Sequence, residues 1–290
     1  CLYRGSPMPH QVLLSPVCDL LSNAEGIETQ VLFGERICNH NHRHYAYSQL
    51  VFSSIWKPYP GDSLQNIPLF SSQLQPPNAV VCSQEAFLDP WHIPLPFAAP
   101  LHIDNQNQVS LSPASIALLN SNSRSNYAKA FCSTKEIRFL NSSFSLRDLV
   151  SFAEQLIDTP YVWGGRCIHK QLPRNGVDCS GYIQLLYQVT GRNIPRNARD
   201  QYRDCSPVKD FSSLPIGGLI FLKKASTGQI NHVMMKISEH EFIHAAEKIG
   251  KVEKVILGNR AFFKGNLFCS LGEPPIEAVF GVPKNRKAFF

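Results

Sequence analysis

The sequence predicts an α+β domain in the C-terminal part of the chain, preceded by small β-barrels. Residues 1–143 contain short β-rich segments separated by proline and glycine, a pattern typical of small barrels. From Phe144 onwards the pattern changes to helices followed by strands, which is typical of an α+β domain. The 290 residues are enough for two or three such domains, each with its own core.

The predicted strands of the first part are short apolar segments bounded by turn residues. They lie at 12–14, 29–33, 45–47, 79–81 and 101–103. The pair Pro76-Pro77 is the expected boundary between two barrels. The expected domains are therefore 1–75, 76–143 and 144–290.

Two helices and four strands are predicted in the last domain. Ser145 precedes apolar residues at helical spacing, which predicts a capped helix over 146–157. A second helix is predicted to begin at Cys179, because the apolar residues after it fit one helical face. Strands are predicted at 219–222, 232–237, 241–245 and 252–257.

Composition excludes several classes of protein. An apolar content of 43% with 17% charged residues indicates a folded globular chain rather than a disordered one. The net charge is +6, but the basic residues are scattered outside 284–287, which indicates a solvated surface and no nucleic-acid partner. No run of about 18 apolar residues occurs, so no membrane-spanning helix is predicted. Nine cysteines at irregular spacing leave disulfides open and predict at least one unpaired or intermolecular thiol.

The stretch around Cys179 carries the strongest chemical signal. A helix N-terminus favours negative charge, and the thiolate is the reactive form of cysteine, so Cys179 is a candidate nucleophile. The polar neighbours Asp178 and Ser180, between Gly176 and Gly181, indicate a cleft rather than a packed interior. The alternative is that Cys179 is a small core residue.

A nucleophilic cysteine needs a base and a group that orients the base. His232 is the predicted base and His244 the predicted orienting residue, while His240 is expected in an exposed turn. For His232 and His244 to share one face of adjacent antiparallel strands, their connection needs an odd number of residues or a bulge. The alternative is that both are ordinary strand residues.

Three histidines at alternate positions, His40, His42 and His44, would face the same way on a strand and could chelate a divalent metal. An exposed polar strand or loop is the simpler alternative. The sequence contains no G-x-S-x-G elbow, P-loop or H-E-x-x-H motif. The expected chemistry therefore uses no metal and no cofactor.

Five motifs in the last domain resemble, in the same order, those of NlpC-type cell-wall cysteine peptidases. They are TPYVWGG at 159–165, VDCSG at 177–181, IPR at 194–196, NHV at 231–233 and FIHA at 242–245. The resemblance implies a papain-like α+β core that hydrolyses peptidoglycan stem peptides. It also implies a catalytic set formed by Cys179, His232 and His244.

Within the same motifs, the resemblance implies that Tyr161, Asp178 and Ser180 bind substrate. The first part of the chain is similar to the bacterial SH3 domains of the subgroup that cleaves between D-glutamate and the diamino acid, at 30–35, 59–61 and 95–97. That similarity implies that Glu35 and Tyr59 hold the free amino terminus of L-Ala-γ-D-Glu-diaminopimelate peptides. The histidine-rich and cysteine-rich first half is also similar to chlamydial members.

The expected function is thus a cysteine endopeptidase acting on the γ-D-glutamyl to diaminopimelate bond. The alternatives are an N-acetylmuramoyl-L-alanine amidase and a non-catalytic peptidoglycan-binding protein. The expected location is the periplasm or cell envelope, with the cytoplasm as the alternative, and the sequence defines no oligomeric state. A basic loop at 166–174, longer than is usual in the family, is expected to affect substrate preference.

Overall fold

The computed structural model describes residues 10–21, 26–40, 43–46, 51–53, 55–58, 70–71, 75–140, 145–173, 175–258 and 260–284. The chain divides into two compact units. Unit 1 comprises Cys1–Ser142, Gly164–Asn175 and Phe289–Phe290, and unit 2 comprises Ser143–Trp163 and Gly176–Ala288. The basic loop thus belongs to unit 1, although it lies between two segments of unit 2 in the sequence.

Unit 1 consists mainly of short strands. The strands are β1 His10–Leu13, β2 Val17–Leu21, β3 Ile27–Leu32, β4 Arg36–His40, β5 Arg43–Ala46, β6 Val51–Ser53, β7 Ile55–Pro58, β8 Phe70–Ser71, β9 Ala79–Val81, β10 Phe87–Leu88, β11 Ile93–Pro94, β12 Pro100–Leu101, β13 Ile137–Phe139 and β14 Arg166–Cys167. Its helices are α1 Pro113–Ser123 and a 3₁₀ turn at Thr134–Glu136. The sheet orders are β6-β5-β4-β1-β8, β3-β2-β7, β12-β9-β13 and β10-β11.

Two clusters of buried apolar side chains form the core of unit 1. One brings Leu13 and Ile37 together with Cys18, Leu20 and Val31. The other joins Leu14 and Phe33 to Ala79, Val81 and further residues up to Ile137. The second cluster therefore includes side chains from both sides of the Pro76-Pro77 pair.

Helix α1 was not expected from the sequence. Its start is determined by Ser112, whose hydroxyl accepts a hydrogen bond from the Ser115 N–H at 3.0 Å, and by Pro113 in the first helical turn. Arg124 ends the helix in the left-handed conformation, with φ of 52°. The cap and the proline are sequence signals, but the helix lacks a regular apolar stripe, because only Ser115 and Leu119 are buried.

Unit 2 contains three helices and a large antiparallel sheet. The helices are α2 Leu146–Gln155, α3 Cys179–Val189 and α4 Ala198–Arg203. The strands are β15 Gly176–Val177, β16 Cys205–Val208, β17 Leu219–Lys223, β18 Ile230–Ser238, β19 Glu241–Ala246, β20 Lys251–Ile256, β21 Ala261–Lys264, β22 Leu267–Ser270 and β23 Ile276–Pro283. The sheet order is β20-β19-β18-β17-β23-β22-β21, and β16 also pairs with β23.

The sequence predicted the helices α2 and α3 closely. Ser145 caps α2 through a hydrogen bond from the Asp148 N–H, and the helix ends at Gln155, slightly before the expected limit. All 11 residues of α3 are buried, so it is a central helix rather than one with a single apolar face. The two polar side chains Gln184 and Gln188 are buried with it, and Gln184 donates to the Ile194 carbonyl at 3.0 Å.

Two further findings bear on the sequence-based expectations. In the part of the chain that the structure describes, no helix is both long and apolar enough to cross a membrane. Among the cysteines whose side chains are described, the thiols of Cys82, Cys132, Cys167, Cys179, Cys205 and Cys269 are not in disulfides.

Candidate active site

Cys179 is the first residue of α3, as the sequence predicted. Asp178 precedes it in an extended conformation and caps the helix, because its carboxylate accepts a hydrogen bond from the Gly181 N–H at 2.7 Å. The Cys179 side chain is 8% exposed. The thiol therefore lies at the N-terminal end of a buried helix, where backbone N–H groups favour negative charge.

His232 and His244 lie on adjacent strands and face the same side of the sheet. Strands β18 and β19 pair with Met235 opposite Ile243, and the register shifts between Lys236 and Ser238. This bulge is one of the two conditions under which both histidines can share a face. His232 Nε2 and His244 Nδ1 are 2.7 Å apart, which is hydrogen-bond distance.

The thiol of Cys179 lies against strand β18, where the backbone of Val233 bonds to it. Burial, followed by the Asp178 charge, raises the pKa of the thiol to about 12. The backbone N–H groups of Val233 and Ser180 and the charge of Arg196 oppose this shift, because they stabilise the thiolate. Val233 follows His232 directly in β18, so the hydrogen bond from its backbone joins the sulfur to the strand that carries this histidine.

Burial, with a further contribution from His244, lowers the pKa of His232 to about 3. At neutral pH the resting site therefore contains a protonated thiol and a neutral imidazole. In such a site His232 can accept a proton during attack by the sulfur, rather than sharing a preformed ion pair with it. Its Nε2 bonds to His244, so Nδ1 is the nitrogen that can receive this proton.

A buried ion pair holds the cap of α3. Arg196 donates to both carboxylate oxygens of Asp178, at 2.9 and 2.6 Å, and its guanidinium is 1% exposed. Arg196 also donates to the Ser180 hydroxyl at 2.9 Å, and that hydroxyl donates to Asp178 at 3.2 Å. Asp178 and Ser180 are thus placed beside Cys179, with most of their polar atoms already bonded to protein groups.

Tyr161 is also placed near the thiol. Its backbone N–H donates to the Gly250 carbonyl at 2.8 Å, and it forms a bridge with Val177 just before the cap of α3. Burial, and then the charge of Cys179, raises the pKa of the Tyr161 hydroxyl well above its usual value. The phenol therefore stays protonated and can donate a hydrogen bond in the site.

Glu35 lies in unit 1, where its carboxylate is fully buried. Arg166 donates to both of its oxygens at 3.0 Å, and the Leu32 N–H donates to Oε2 at 3.0 Å. The neighbouring Gly34 has φ of +79°, and a Cβ there would come within 2.2 Å of the Pro100 carbonyl. Substrate binding by Glu35 stays a prediction, and Tyr59 lies outside the described residues.

The histidine cluster of the first part does not lie on one strand, as the metal hypothesis required. His40 ends β4 and pairs with Arg43, while His44 lies in β5 opposite Asn39. His42 lies outside the described residues. Among the residues that the structure describes, no three histidine, cysteine or acidic side chains are close enough to hold a metal ion.

Two residues that bond to the predicted site residues were not singled out in the sequence. Arg196 belongs to the IPR motif, but its role follows only from the ion pair with Asp178. Glu253 lies on β20 directly opposite His244, and its Oε1 is 3.3 Å from His244 Nε2. The predicted strand over 252–257 contained Glu253, but its register against β19 could not be obtained from the sequence.

Comparisons with known proteins give a family match and a similar fold. Residues 158–268 match the model of the NlpC/P60 family. A structure of an NlpC/P60 family protein from Bacillus cereus has the same fold, with a TM-score of 0.62 and 19% identity. The alignment covers 86% of this chain and 95% of that one.

Two curated relatives also match the C-terminal part of the chain. One is a gamma-DL-glutamyl hydrolase from Bacillus subtilis, 30% identical over 105 residues, which are 36% of this chain and 24% of that protein. The other is a gamma-D-glutamyl-L-lysine dipeptidyl-peptidase from Bacillus cereus, 30% identical over 118 residues, which are 40% of this chain and 33% of that protein. The chain thus spans a third or less of the length of these relatives.

Proposed function

We propose that this protein is a cysteine endopeptidase that hydrolyses peptidoglycan stem peptides at the γ-D-glutamyl to diaminopimelate bond. The observation that carries the proposal is the position of Cys179 at the start of a buried helix, against the strand that holds His232 and, through it, His244. The relatives named for γ-glutamyl substrates support the choice of bond. The NlpC/P60 match supports the peptide-hydrolase class.

The proposed first step is attack of the Cys179 sulfur on the γ-carbonyl carbon of D-glutamate. The thiol proton moves to Nδ1 of His232 as the sulfur–carbon bond forms. The Cys179 backbone N–H at the start of α3 and the Tyr161 hydroxyl are the proposed donors to the oxyanion. His232 then gives its proton to the amine nitrogen of diaminopimelate, the carbon–nitrogen bond breaks, and a thioester remains on Cys179.

In the second step, water attacks the thioester carbon and His232 accepts a proton from that water. The carbon–sulfur bond breaks, the sulfur regains the proton from His232, and L-Ala-D-Glu leaves with a free γ-carboxylate. Both steps use His232 in its neutral form, which its lowered pKa provides at neutral pH. The reaction needs no redox partner and no group beyond the chain and water.

Substrate binding is proposed for Tyr161, Asp178 and Ser180, which lie beside the nucleophile. Glu35 and Tyr59 are the proposed ligands of the free amino terminus of the substrate. Because Arg166 bonds both oxygens of Glu35, binding of an ammonium there would require this ion pair to rearrange. We further propose that 1–75 and 76–143 form two SH3-like barrels and that the protein acts in the cell envelope, with the cytoplasm as the alternative.

Mass spectrometry of reaction products tests the proposal. The protein and its Cys179→Ala variant are incubated with L-Ala-γ-D-Glu-diaminopimelate peptides and with intact muropeptides under reducing conditions. Release of L-Ala-D-Glu only by the unmodified protein is the expected result. The matched control is Cys205→Ala, because Cys205 is also 8% exposed and lies in the same unit, on β16. This control variant is expected to retain activity.

Two other outcomes would replace the proposal. Release of sugar-free stem peptides from muropeptides would indicate an amidase that cuts between the sugar and L-Ala. Unchanged peptides and muropeptides, with retained binding to peptidoglycan, would indicate a non-catalytic binding protein.

A further inference from the structure

Glu253 extends the hydrogen bond between His232 and His244 to a third side chain. It lies on β20, the edge strand of the sheet in unit 2, directly opposite His244 on β19. Side chains of directly opposed residues on an antiparallel pair point to the same face. The Glu253 carboxylate is thus on the side of the sheet that carries both histidines, 3.3 Å from His244 Nε2.

Among the hydrogen bonds of the described residues, none joins a lysine to this carboxylate, although the charge of Lys251 also contributes to lowering its pKa. The two lysines of β20 bond to other acidic side chains, Lys251 to Asp158 at 2.6 Å and Lys254 to Glu154 at 3.1 Å. The hydrogen bond with His244 lowers the pKa of Glu253, so the carboxylate is ionised at neutral pH. An ionised carboxylate can only accept hydrogen bonds.

The position of each proton in the two imidazole rings follows from this acceptor. Because Glu253 only accepts, His244 in its neutral form must carry its proton on Nε2, which leaves a lone pair on Nδ1. That lone pair faces His232 Nε2 at 2.7 Å, so His232 must donate from Nε2. His232 then has a lone pair on Nδ1, the nitrogen that faces away from His244.

We propose that Glu253 is a positioning residue that fixes the tautomers of both histidines, so that Nδ1 of His232 is free to accept the thiol proton of Cys179. This inference rests on the proposed function for its consequence, but not for the proton positions themselves. Without an acceptor at position 253, His244 can carry its proton on Nδ1 and donate to His232 Nε2. His232 would then carry its own proton on Nδ1 and could not act as the base.

Nitrogen-15 NMR of histidine-labelled protein tests the proton positions directly, since protonated and bare ring nitrogens have distinct shifts. The unmodified protein is expected to show both rings protonated on Nε2. In Glu253→Leu, His244 is expected to show a substantial Nδ1-protonated population, and His232 is expected to follow. Glu253→Gln is expected to restore the original pattern, because its amide oxygen still accepts a hydrogen bond.

A second variant replaces the hydrogen-bond acceptor at position 253 with a hydrogen-bond donor. Glu253→Lys places a side chain that only donates, so it is expected to force the His244 proton onto Nδ1 even if Glu253→Leu folds poorly. The matched control is Glu241→Leu on β19, whose side chain is 26% exposed against 31% for Glu253 and pairs with Lys254. Glu241→Leu is expected to leave both tautomers unchanged.

Kinetics provides the second readout. Glu253→Leu is expected to lower kcat for the γ-glutamyl peptide roughly 10- to 100-fold with KM within about 2-fold, because removing a group that orients a catalytic histidine acts on the chemical step. Glu253→Gln is expected to recover most of that loss.

Unchanged tautomers in both Glu253→Leu and Glu253→Lys would overturn the inference. If the unmodified protein cleaves no substrate, the proposed function fails, while the NMR result still decides the role of Glu253.

Discussion

In each unit, a buried arginine donates hydrogen bonds from its two terminal guanidinium nitrogens to the two oxygens of a carboxylate. In unit 1, Arg166 pairs with Glu35, and neither side chain is exposed. In unit 2, Arg196 pairs with Asp178, with side chains 1% and 12% exposed. The two pairs have the same chemistry and similar distances, so the difference between them lies in what each pair holds.

The Arg166–Glu35 pair in unit 1 holds the loop that contains Arg166. Arg166 also donates to the Gln30 carbonyl at 2.8 Å, and its backbone N–H donates to the Gln30 side chain at 2.7 Å, so the inserted segment 164–175 is joined to strand β3. The pair in unit 2 holds the cap of α3, one residue before the thiol. A buried ion pair therefore constrains the backbone in both units, and in unit 2 the constrained residue Asp178 directly precedes Cys179.

The largest expected effect is the loss of Asp178. Asp178→Ala leaves the Arg196 guanidinium buried without its carboxylate and removes the cap of α3, so it is expected to lower the free energy of unfolding by about 4–6 kcal/mol. Asp178→Asn keeps a side chain that can cap the helix and is expected to cost about 1 kcal/mol less. Urea unfolding measures both values, and equal stability of Asp178→Asn and the unmodified protein would contradict a charged pair.

Glu35→Gln is expected to have a slightly smaller effect, with its main consequence in unit 1. It leaves Arg166 buried without a counter-charge, which is expected to cost about 3–5 kcal/mol in urea unfolding. Hydrogen exchange is expected to show lost protection in 164–175 and in β3, with α3 unchanged. The double variant Glu35→Leu with Arg166→Met removes both charges and is expected to recover much of the loss.

Activity sharpens this comparison, because Glu35 is also a proposed substrate ligand. If the pair is purely structural, folded Glu35→Gln and the double variant have the KM of the unmodified protein. An increase in KM that the double variant does not recover would instead support amine binding by Glu35.

The pH dependence of stability separates the units through one histidine in each, His232 and His169. The pKa of His232 in unit 2 is lowered from 6.5 to about 3. Between these pH values His232 is protonated in the unfolded chain but neutral in the folded chain, and this difference favours unfolding. Stability is therefore expected to fall as the pH decreases from about 6.5 towards 3. Burial also lowers the pKa of His169 in unit 1, but its hydrogen bond with the Ala86 carbonyl opposes the shift.

Urea unfolding at several pH values checks this expectation. His232→Gln is expected to flatten the acid part of the stability curve more than His169→Gln does. Equal flattening by both variants would contradict the expectation, because it would mean that folding disfavours the charged form of His169 as strongly as that of His232.

The sequence predicted unit 2 better than unit 1, for physical reasons. Ser145 and Cys179 begin helices where capping and apolar spacing indicated, and the predicted strands around His232 and His244 fall on β18 and β19. These signals are local. The register that sets Glu253 opposite His244 depends on a bulge and on pairing between strands, so it could not be obtained from local patterns.

In unit 1, the pairing of Arg166 with Glu35 connects residues far apart in the sequence, and no periodicity indicates it. The sequence placed Glu35 in a substrate site and Arg166 in a basic loop, whereas the structure buries both in one ion pair. A charged residue in a loop is usually solvated, so its burial becomes visible only once the opposite charge is located in space.

Ser180→Ala is the smallest expected change and tests whether the ion pair of unit 2 is held independently of its neighbours. Ser180 accepts from Arg196 and donates to Asp178, so its removal leaves both direct bonds of the pair in place. The expected loss is about 1 kcal/mol in urea unfolding, the typical value for one hydrogen bond. The rate of Cys179 alkylation by iodoacetamide is expected to change little, because the cap and the backbone N–H groups around the sulfur remain. If Ser180→Ala lowered the free energy of unfolding as much as Asp178→Asn, then Asp178, Arg196 and Ser180 would form one cooperative network. In that case the Ser180 hydroxyl, and not only the charge of Asp178, would hold the start of α3, where Cys179 lies.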